Sequence, residues 1–409
     1  MNKFAKSRTR LSEKIGSPPE WGAWGRQKTE SAAVNAGRVE EIRKLKSIGY
    51  LTGVNEAGKI LGVSRHIAGK AYEGYNLFTS GHGPEAILMD MRGKVLHKWA
   101  KGYAELWPDR PGDIPLEKNF NAQFWRRCRL FKNGDLLAIF EGLGLLKLDK
   151  DSNLLWKYDG YAHHDLDIDP AGNIFVLVRV PHMIPEYNAD KPILEDFVAV
   201  LDSKGNEQKR VSLLKCLASS PFWAVVGRRE ISGDVFHTNT LQWLDGSLTA
   251  KSEIFKKGNV LVSLCNQDFI GVVDLEKETF VWGLSGLFGK QHQPELMPDG
   301  SIMVFDNQGP GERSRVLRFE PFELRILWNY DGRDDGNLYS GKLGTYQVLP
   351  NGNVLITESE FGRVFEVNET KKILWEYLSP YRAGKNNEWV AQIPEMLRID
   401  AKFVEGWLD

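Results

Sequence analysis

The strongest constraint on this chain is a repeat that closes on tryptophan. Each copy opens on a tight turn, runs through two apolar β-rich stretches, the second ending in an acidic residue, and finishes in a short strand. Asn133-Gly134 leads through DLLAIFEGLGLLKLD to Trp156, and Asp299-Gly300 through SIMVFDNQ and RVLRFE to Trp328. Asn351-Gly352 leads through NVLITESE and RVFEVN to Trp375, further copies close on Trp99 and Trp282, and a degraded one covers Ala171 to Val211. Trp99 and Trp156 stand 57 residues apart, while Trp328 lies 46 beyond Trp282 and 47 before Trp375. The gap of 126 between Trp156 and Trp282 has room for two copies with insertions. Six copies of a four-stranded antiparallel unit at this period predict an all-β fold, a six-bladed β-propeller. One large aromatic per unit fills the wedge between neighbouring sheets. No alternating strand and helix pattern interrupts the series, which argues against a Rossmann sheet.

Length alone would divide 409 residues into two or three domains. The repeat replaces that division with one propeller over residues 51–409 behind an N-terminal arm, residues 1–50. Within the arm, an amphipathic helix is expected at about 35–48. Asn35 is its candidate cap, Val39, Ile42, Leu45 and Ile48 form an apolar stripe, and Gly49 ends it. Trp21 and Trp24, beside Pro18-Pro19, are candidates for docking, and a homo-oligomer built through the arm is one expected partnership. The 40 glycines suit hairpin turns.

A net charge of −1 argues against a nucleic-acid binder and a polybasic membrane anchor. No apolar run reaches the roughly 18 residues a membrane span needs. The beginning MNKFAKSRTR lacks the apolar segment of a signal peptide, so a cytoplasmic location is expected, or a periplasmic one if a leader has been removed. Cys128, Cys216 and Cys265 are too scattered for a disulfide framework and read as buried small hydrophobes.

In a propeller the innermost strand of each blade lines the channel. Reading back from the turns gives HHDLDIDPAG, FHTNTLQWLDG and QHQPELMPDG, which place His163, His164, His237 and His292 on three successive blades. Half of the eight histidines share this position. Counted from the turn glycines, His163 matches His237 and His164 matches His292. Clustered imidazoles can serve as nucleophile, acid or base, anion binder or metal ligand. Asp165 and Asp167 are expected to cap loops or alternate along their strand. His82 in the SGHGPE turn is a lesser channel candidate, and His66, His97 and His182 read as surface or loop residues.

HHDLDIDPAGN, DVFHTNTLQWLDG and QHQPELMPDGSIMVFDNQ, in this order, resemble the arylsulfate sulfotransferase (arylsulfotransferase-like) family. YNLFTSGHGPEAILMDMRGKVLHKW and GTYQVLPNGNVLITES fit the same pattern, so the resemblance covers about residues 50–385. It implies sulfuryl transfer from a phenolic sulfate to another phenol, with a histidine nucleophile and no cofactor. The partners it implies are the aromatic sulfate and the phenol. His292 in QHQP matches the histidine that is transiently sulfated. His237 and Asn239 match a His-x-Asn pair that holds sulfate oxygens and assists proton transfer. His164, with His163 beside it, matches the remaining channel histidine. The family arginine corresponds to the segment LVSLCNQ, where Cys265 stands, followed by Asn266. Cys265 and Asn266 are therefore the expected substrate-contacting positions there, yet a thiol cannot replace a guanidinium fork. Arg126, Arg129 and Arg313 are candidates to supply that charge from other blades.

Two other readings remain open on the sequence. Three or four convergent histidines, His163, His164, His237 and His292, suit a Zn or Mn ion in a metal-dependent lyase or hydrolase. A non-catalytic propeller, serving as a binding or assembly module with residues 1–50 as its docking arm, is the other.

Overall fold

The computed structural model describes residues 32–46, 51–56, 58–108, 120–226, 231–333 and 337–408. Trp21, Trp24, Ile48 and Gly49 lie outside them. A helix spans Ala32–Lys46, so it begins before Asn35, and Val39 is exposed on it.

Six antiparallel sheets form the propeller ring, here blades I to VI in chain order. Blade II is Arg127–Leu130, Leu136–Phe140, Gly144–Leu148 and Leu154–Tyr158, running from the channel outwards. Blade III is Ala162–Ile168, Ile174–Ile184, Asn188–Leu201 and Glu207–Ser212. Blade IV is Thr238–Trp243, Val260–Leu264, Phe269–Asp274 and Thr279–Ser285, and blade V is His292–Leu296, Ile302–Gly309, Arg313–Phe319 and Ile326–Tyr330. Blade VI is Thr345–Val348, Val354–Glu358, Arg363–Val367 and Ile373–Leu378.

Ring closure joins the two ends of the propeller. Blade I takes its inner strand, Met396–Ile399, from the C-terminal end and pairs it with Tyr75–Ser80, followed by Gly83–Met89 and Val95–Ala100. Gly62–His66, from the N-terminal side, adds a fifth, outer strand to blade VI by pairing with Ile373–Leu378.

The tryptophans join neighbouring blades, as the repeat predicts. Trp99 of blade I is fully buried, and its indole N–H donates to Gly134 O of blade II at 3.0 Å. Trp375 of blade VI donates to Met91 O beside blade I at 2.9 Å. Trp156 of blade II packs on Gly205 of blade III so closely that a Cβ there would meet the ring at 2.6 Å. Burying such rings supplies a large share of each interface.

Polar side chains join the inner strands. An inner strand is an edge strand, so its outward N–H groups need partners. Asp165 and Asp167 of blade III accept from Leu241 N and Trp243 N of blade IV at 3.0 and 2.8 Å. Thr240 and Gln242 of blade IV likewise accept from Gln293 N and Leu296 N of blade V, at 2.9 and 2.7 Å. Gln347 accepts from Arg398 N at 2.7 Å, across the closure of the ring. The aspartates of HHDLDID thus staple blade III to blade IV.

Alignment on the turn glycines fails in blade IV. There the inner strand ends at Trp243, opposite Val260, and a long connection containing a 3₁₀ turn at Glu253–Phe255 follows. Ile168, Trp243 and Leu296 close their inner strands. Four residues before them stand His164, Asn239 and His292. Asn239, not His237, therefore takes the rank of His164 and His292. His237 sits two residues earlier, at the strand entrance.

Candidate functional site

The entrances of the inner strands of blades II to V gather the candidate residues in one buried cluster. His163, His164 and His292 are each at most 1% exposed. Several non-glycine residues here hold left-handed backbone, among them His164 at φ 51°, His237 at φ 49°, Lys290 at φ 51° and Gln293 at φ 51°. Such conformations cost free energy and persist where surroundings enforce them. Carboxylates do so at both histidines. Glu141 accepts from His164 N at 2.9 Å, and Asp234 accepts from His237 N at 3.1 Å.

His292 has its tautomer set by its neighbour. Its Nδ1 lies 2.8 Å from Oδ1 of Asn307. The Asn307 amide cannot turn over, because its Nδ2 donates to Ser340 O and Leu343 O at 2.6 and 2.8 Å. Nδ1 of His292 therefore carries the proton, and Nε2 keeps its lone pair. That Nε2 is buried and has no hydrogen-bond partner among the described residues. Burial pushes the imidazole down to about 3, so it is neutral over the whole physiological range.

His237 is the opposite kind of histidine. Burial disfavours its charge, but the Asp234 carboxylate, 2.5 Å from its Nδ1, outweighs that and raises its pKa above the ordinary value. Asp234 is held low, because the His237 charge and hydrogen bond outweigh its own burial. Asn266 and Gln267 fix this pair by donating to Asp234 O at 2.9 Å and Val235 O at 2.6 Å.

His163 and His164 face each other, Nδ1 to Nδ1, at 2.8 Å, so one of them carries the shared proton. Glu141 Oε1, 3.1 Å from Nδ1 of His164, assigns it to His164. Burial and then neighbouring positive charge push both well below the ordinary value. Glu141 is itself flanked by two guanidinium groups. Arg179 Nη2 is 3.2 Å from Oε1 and Arg126 Nε is 3.9 Å from Oε2. Arg179 lies flat against Gly142, where a Cβ would meet Nη2 at 2.7 Å and φ is +65°. Only glycine leaves that space.

Asn239 donates to Gln291 O at 2.8 Å, which ties blade IV to the residue before His292. Its side chain also hydrogen-bonds the Cys265 thiol, and burial pushes that thiol up to about 12. Cys265, Asn266, Lys290 and His237 line a cavity of about 570 Å³, with Leu51 and Val54 among the residues at its rim. Of the arginines weighed as channel cations, Arg126 reaches the cluster. Arg129 pairs with Glu395 at 2.5 Å, and Arg313 borders a separate surface cavity with Glu312 and Tyr339. His82 is turned to Glu85 and stacks on Tyr381, with centroids 4.1 Å apart.

Glu141, His163 and His164 present ligand atoms within 4.8 Å of one another, which is a spacing a metal ion could use. The charge around them favours the other sign. Arg126 and Arg179 are guanidinium cations, Asp234 favours the charged form of His237, and Glu141 and Asp234 are the carboxylates held low. Asp196 is pushed towards its neutral form by burial and by Asp234. Two guanidinium groups thus flank the one carboxylate of the trio, which suits an anion better than a cation.

Arginine 127 was not singled out by any sequence motif. Its guanidinium pairs with Asp165 and crosses to Gln293 Oε1 at 2.6 Å. The strand entrances of blades II and V therefore face each other across the channel.

A solved protein of unknown function from Bacteroides caccae has a similar fold, at TM-score 0.51 and 12% identity, covering 80% of this chain and 98% of that one. A streptogramin B lyase structure aligns at TM-score 0.44 and 11% identity, covering 85% of this chain and 95% of that one. No curated protein matches the chain in sequence. The profile described as arylsulfotransferase (ASST) matches residues 127–380, well over half of the chain, including all four clustered histidines. With the propeller, the histidines on three successive blades and that match together, the chain belongs to the arylsulfotransferase family.

Proposed function

We propose that this protein transfers a sulfuryl group between phenolic compounds, with His292 as the nucleophile. The observation that carries the reading is the neutral His292 imidazole, whose Nε2 is buried, unpartnered and fixed in the unprotonated tautomer by Asn307. An imidazole with an available lone pair is the form that attacks.

In the first half-reaction Nε2 attacks sulfur, an N–S bond forms, and the sulfur–oxygen bond to the aryl group breaks. The leaving phenolate takes the electron pair and receives the proton of His237. In the second half-reaction the acceptor phenol returns a proton to His237 as its oxygen attacks sulfur. The N–S bond then breaks and the pair returns to Nε2. His237 fits this exchange because Asp234 favours its protonated form, the form that can give a proton to a phenolate. The roughly 570 Å³ cavity beside His237 has room for the aromatic ring, while only the small sulfuryl group reaches the buried imidazole.

The test is mass spectrometry of the protein after brief exposure to 4-nitrophenyl sulfate. An SO₃ adduct on His292, absent from His292→Ala, supports the reading. Wild-type protein that releases nitrophenol without any adduct at His292, or none at all, defeats it.

A further inference from the structure

We infer that Arg126 is the cation that holds the oxygens of the transferred group, opposite the nucleophile. The inference rests on the sulfuryl-transfer reading but concerns a residue outside the family match, which begins at residue 127.

Sulfuryl transfer leaves charge on the equatorial oxygens of the group in flight, and preorganised donors aimed at that charge lower the barrier. Cys265 offers only a protonated thiol already bonded to Asn239. The charge must come from elsewhere in the cluster. Arg129 is paired with Glu395, and Arg179 is pressed between Glu141 and Gly142. Lys290 stands at the cavity, where its ammonium is 3.5 Å from Cys265 O and lacks a planar fork.

Arg126 has the right place. It immediately precedes the inner strand Arg127–Leu130 of blade II, and its backbone is fixed by a bond from N to Ile139 O at 2.8 Å. Blades II and V are opposite in a ring of six. The next residue, Arg127, spans the channel to Gln293, the residue that follows His292. The Arg126 guanidinium is 2% exposed, and its Nε is 3.9 Å from the carboxylate that also holds His164. Its positive charge bears on His292 and His164 alike, disfavouring the protonated form of both. A group bonded to Nε2 of His292 would thus lie between the imidazole and a guanidinium that is already oriented. The same charge serves twice: it adds to burial in disfavouring the protonated imidazole, and it receives the oxyanion.

The test uses the full-length protein with Arg126→Gln, Arg126→Met and Arg126→Lys, and two readouts. Transfer from 4-nitrophenyl sulfate should fall by about 10²–10³-fold in kcat/KM for the glutamine variant and by about tenfold for the lysine variant. Binding of inorganic sulfate, followed by calorimetry and needing no turnover, should weaken by about tenfold or more in Arg126→Gln. Methylguanidinium, but not methylammonium, should restore part of the rate of Arg126→Met, which a merely structural arginine would not explain. If the glutamine variant does not fold, the lysine variant and the rescue decide. A folded Arg126→Gln with wild-type turnover and wild-type sulfate affinity overturns the inference while leaving His292 untouched. Failure of the parent reading is separate, because it shows in wild-type protein as the absence of an adduct.

Discussion

Asn307 holds the chemical state of His292: its Oδ1, 2.8 Å from Nδ1, joins Lys290 O at 3.1 Å in keeping the ring proton on that nitrogen. The two residues lie on paired strands of blade V, and the amide is anchored on the far side by Ser340 O and Leu343 O. The proton position on a channel histidine is therefore set from the neighbouring strand of its own blade.

Replacing Asn307 with leucine should lower kcat by about tenfold, since only the longer contact to Lys290 O, 3.1 Å from Nδ1, would then hold the tautomer. The carbonyls of Ser340 and Leu343 would also lose donors, which should cost roughly 1–3 kcal/mol of stability. Single-turnover kinetics and a denaturant midpoint measure the two effects. A variant with the wild-type rate would contradict the role given to the amide.

The Asp234–His237 pair predicts the pH dependence. His237 has a raised pKa, so the stability it adds is fully present below the usual imidazole value and is lost as pH rises through its folded value. Asp234 has a lowered pKa, so its contribution is present above the usual carboxylate value and is lost as pH falls through its folded value. Between the two ordinary values the pair is worth most. Asp234→Asn should move the alkaline limb of kcat/KM down by roughly one to two pH units. An unmoved limb would assign the proton to another group.

Tryptophan 99 should be among the costliest single truncations. It is fully buried between blades I and II and bonded to Gly134 O. Trp99→Ala should destabilise the propeller by about 3–5 kcal/mol, read from thermal or urea unfolding. A loss below about 1 kcal/mol would show that the wedge can collapse.

The metal reading has its own measurement. Glu141, His163 and His164 are close enough to bind an ion, but Arg126 and Arg179 already balance the carboxylate. Protein purified without chelator should contain well under one equivalent of zinc or manganese, and chelation should leave transfer unchanged. Stoichiometric metal lost together with activity would reverse the assignment.

The thiols should be inert in the folded state. Cys128, Cys216 and Cys265 are buried and free, and burial pushes each up to about 12. A disulfide reagent at pH 8 should therefore react slowly until denaturant is added. Rapid native labelling of Cys265 would show that the cavity admits solvent to the sulfur.

Much of this was legible because the propeller repeats itself. Turns, apolar strands and a closing tryptophan recur locally, and each leaves a mark within about fifty residues of sequence. The histidines were legible for the same reason, since strand rank places them at the channel. The match of His237 to His163 was not reliable, because counting from Gly246 ignores the long connection before Val260. Asp165 and Asp167 looked like loop caps, yet their partners are backbone groups of another blade, 76 residues further along the chain. No local pattern records such a contact.

The sequence by itself determined six units, their order and the rank of His164 and His292 on their strands, because strand periodicity and turn chemistry are local. Only the tertiary structure decided how the ring closes, with Met396–Ile399 completing blade I and Gly62–His66 extending blade VI. It alone set the states of the histidines, leaving His292 neutral beside Asn307 and raising His237 beside Asp234. It also placed Arg126 of blade II next to the carboxylate that holds His164 of blade III. The physical reason is one of range: a strand or turn is encoded by neighbours in sequence, whereas proton affinity and charge depend on whichever groups folding brings within a few ångströms.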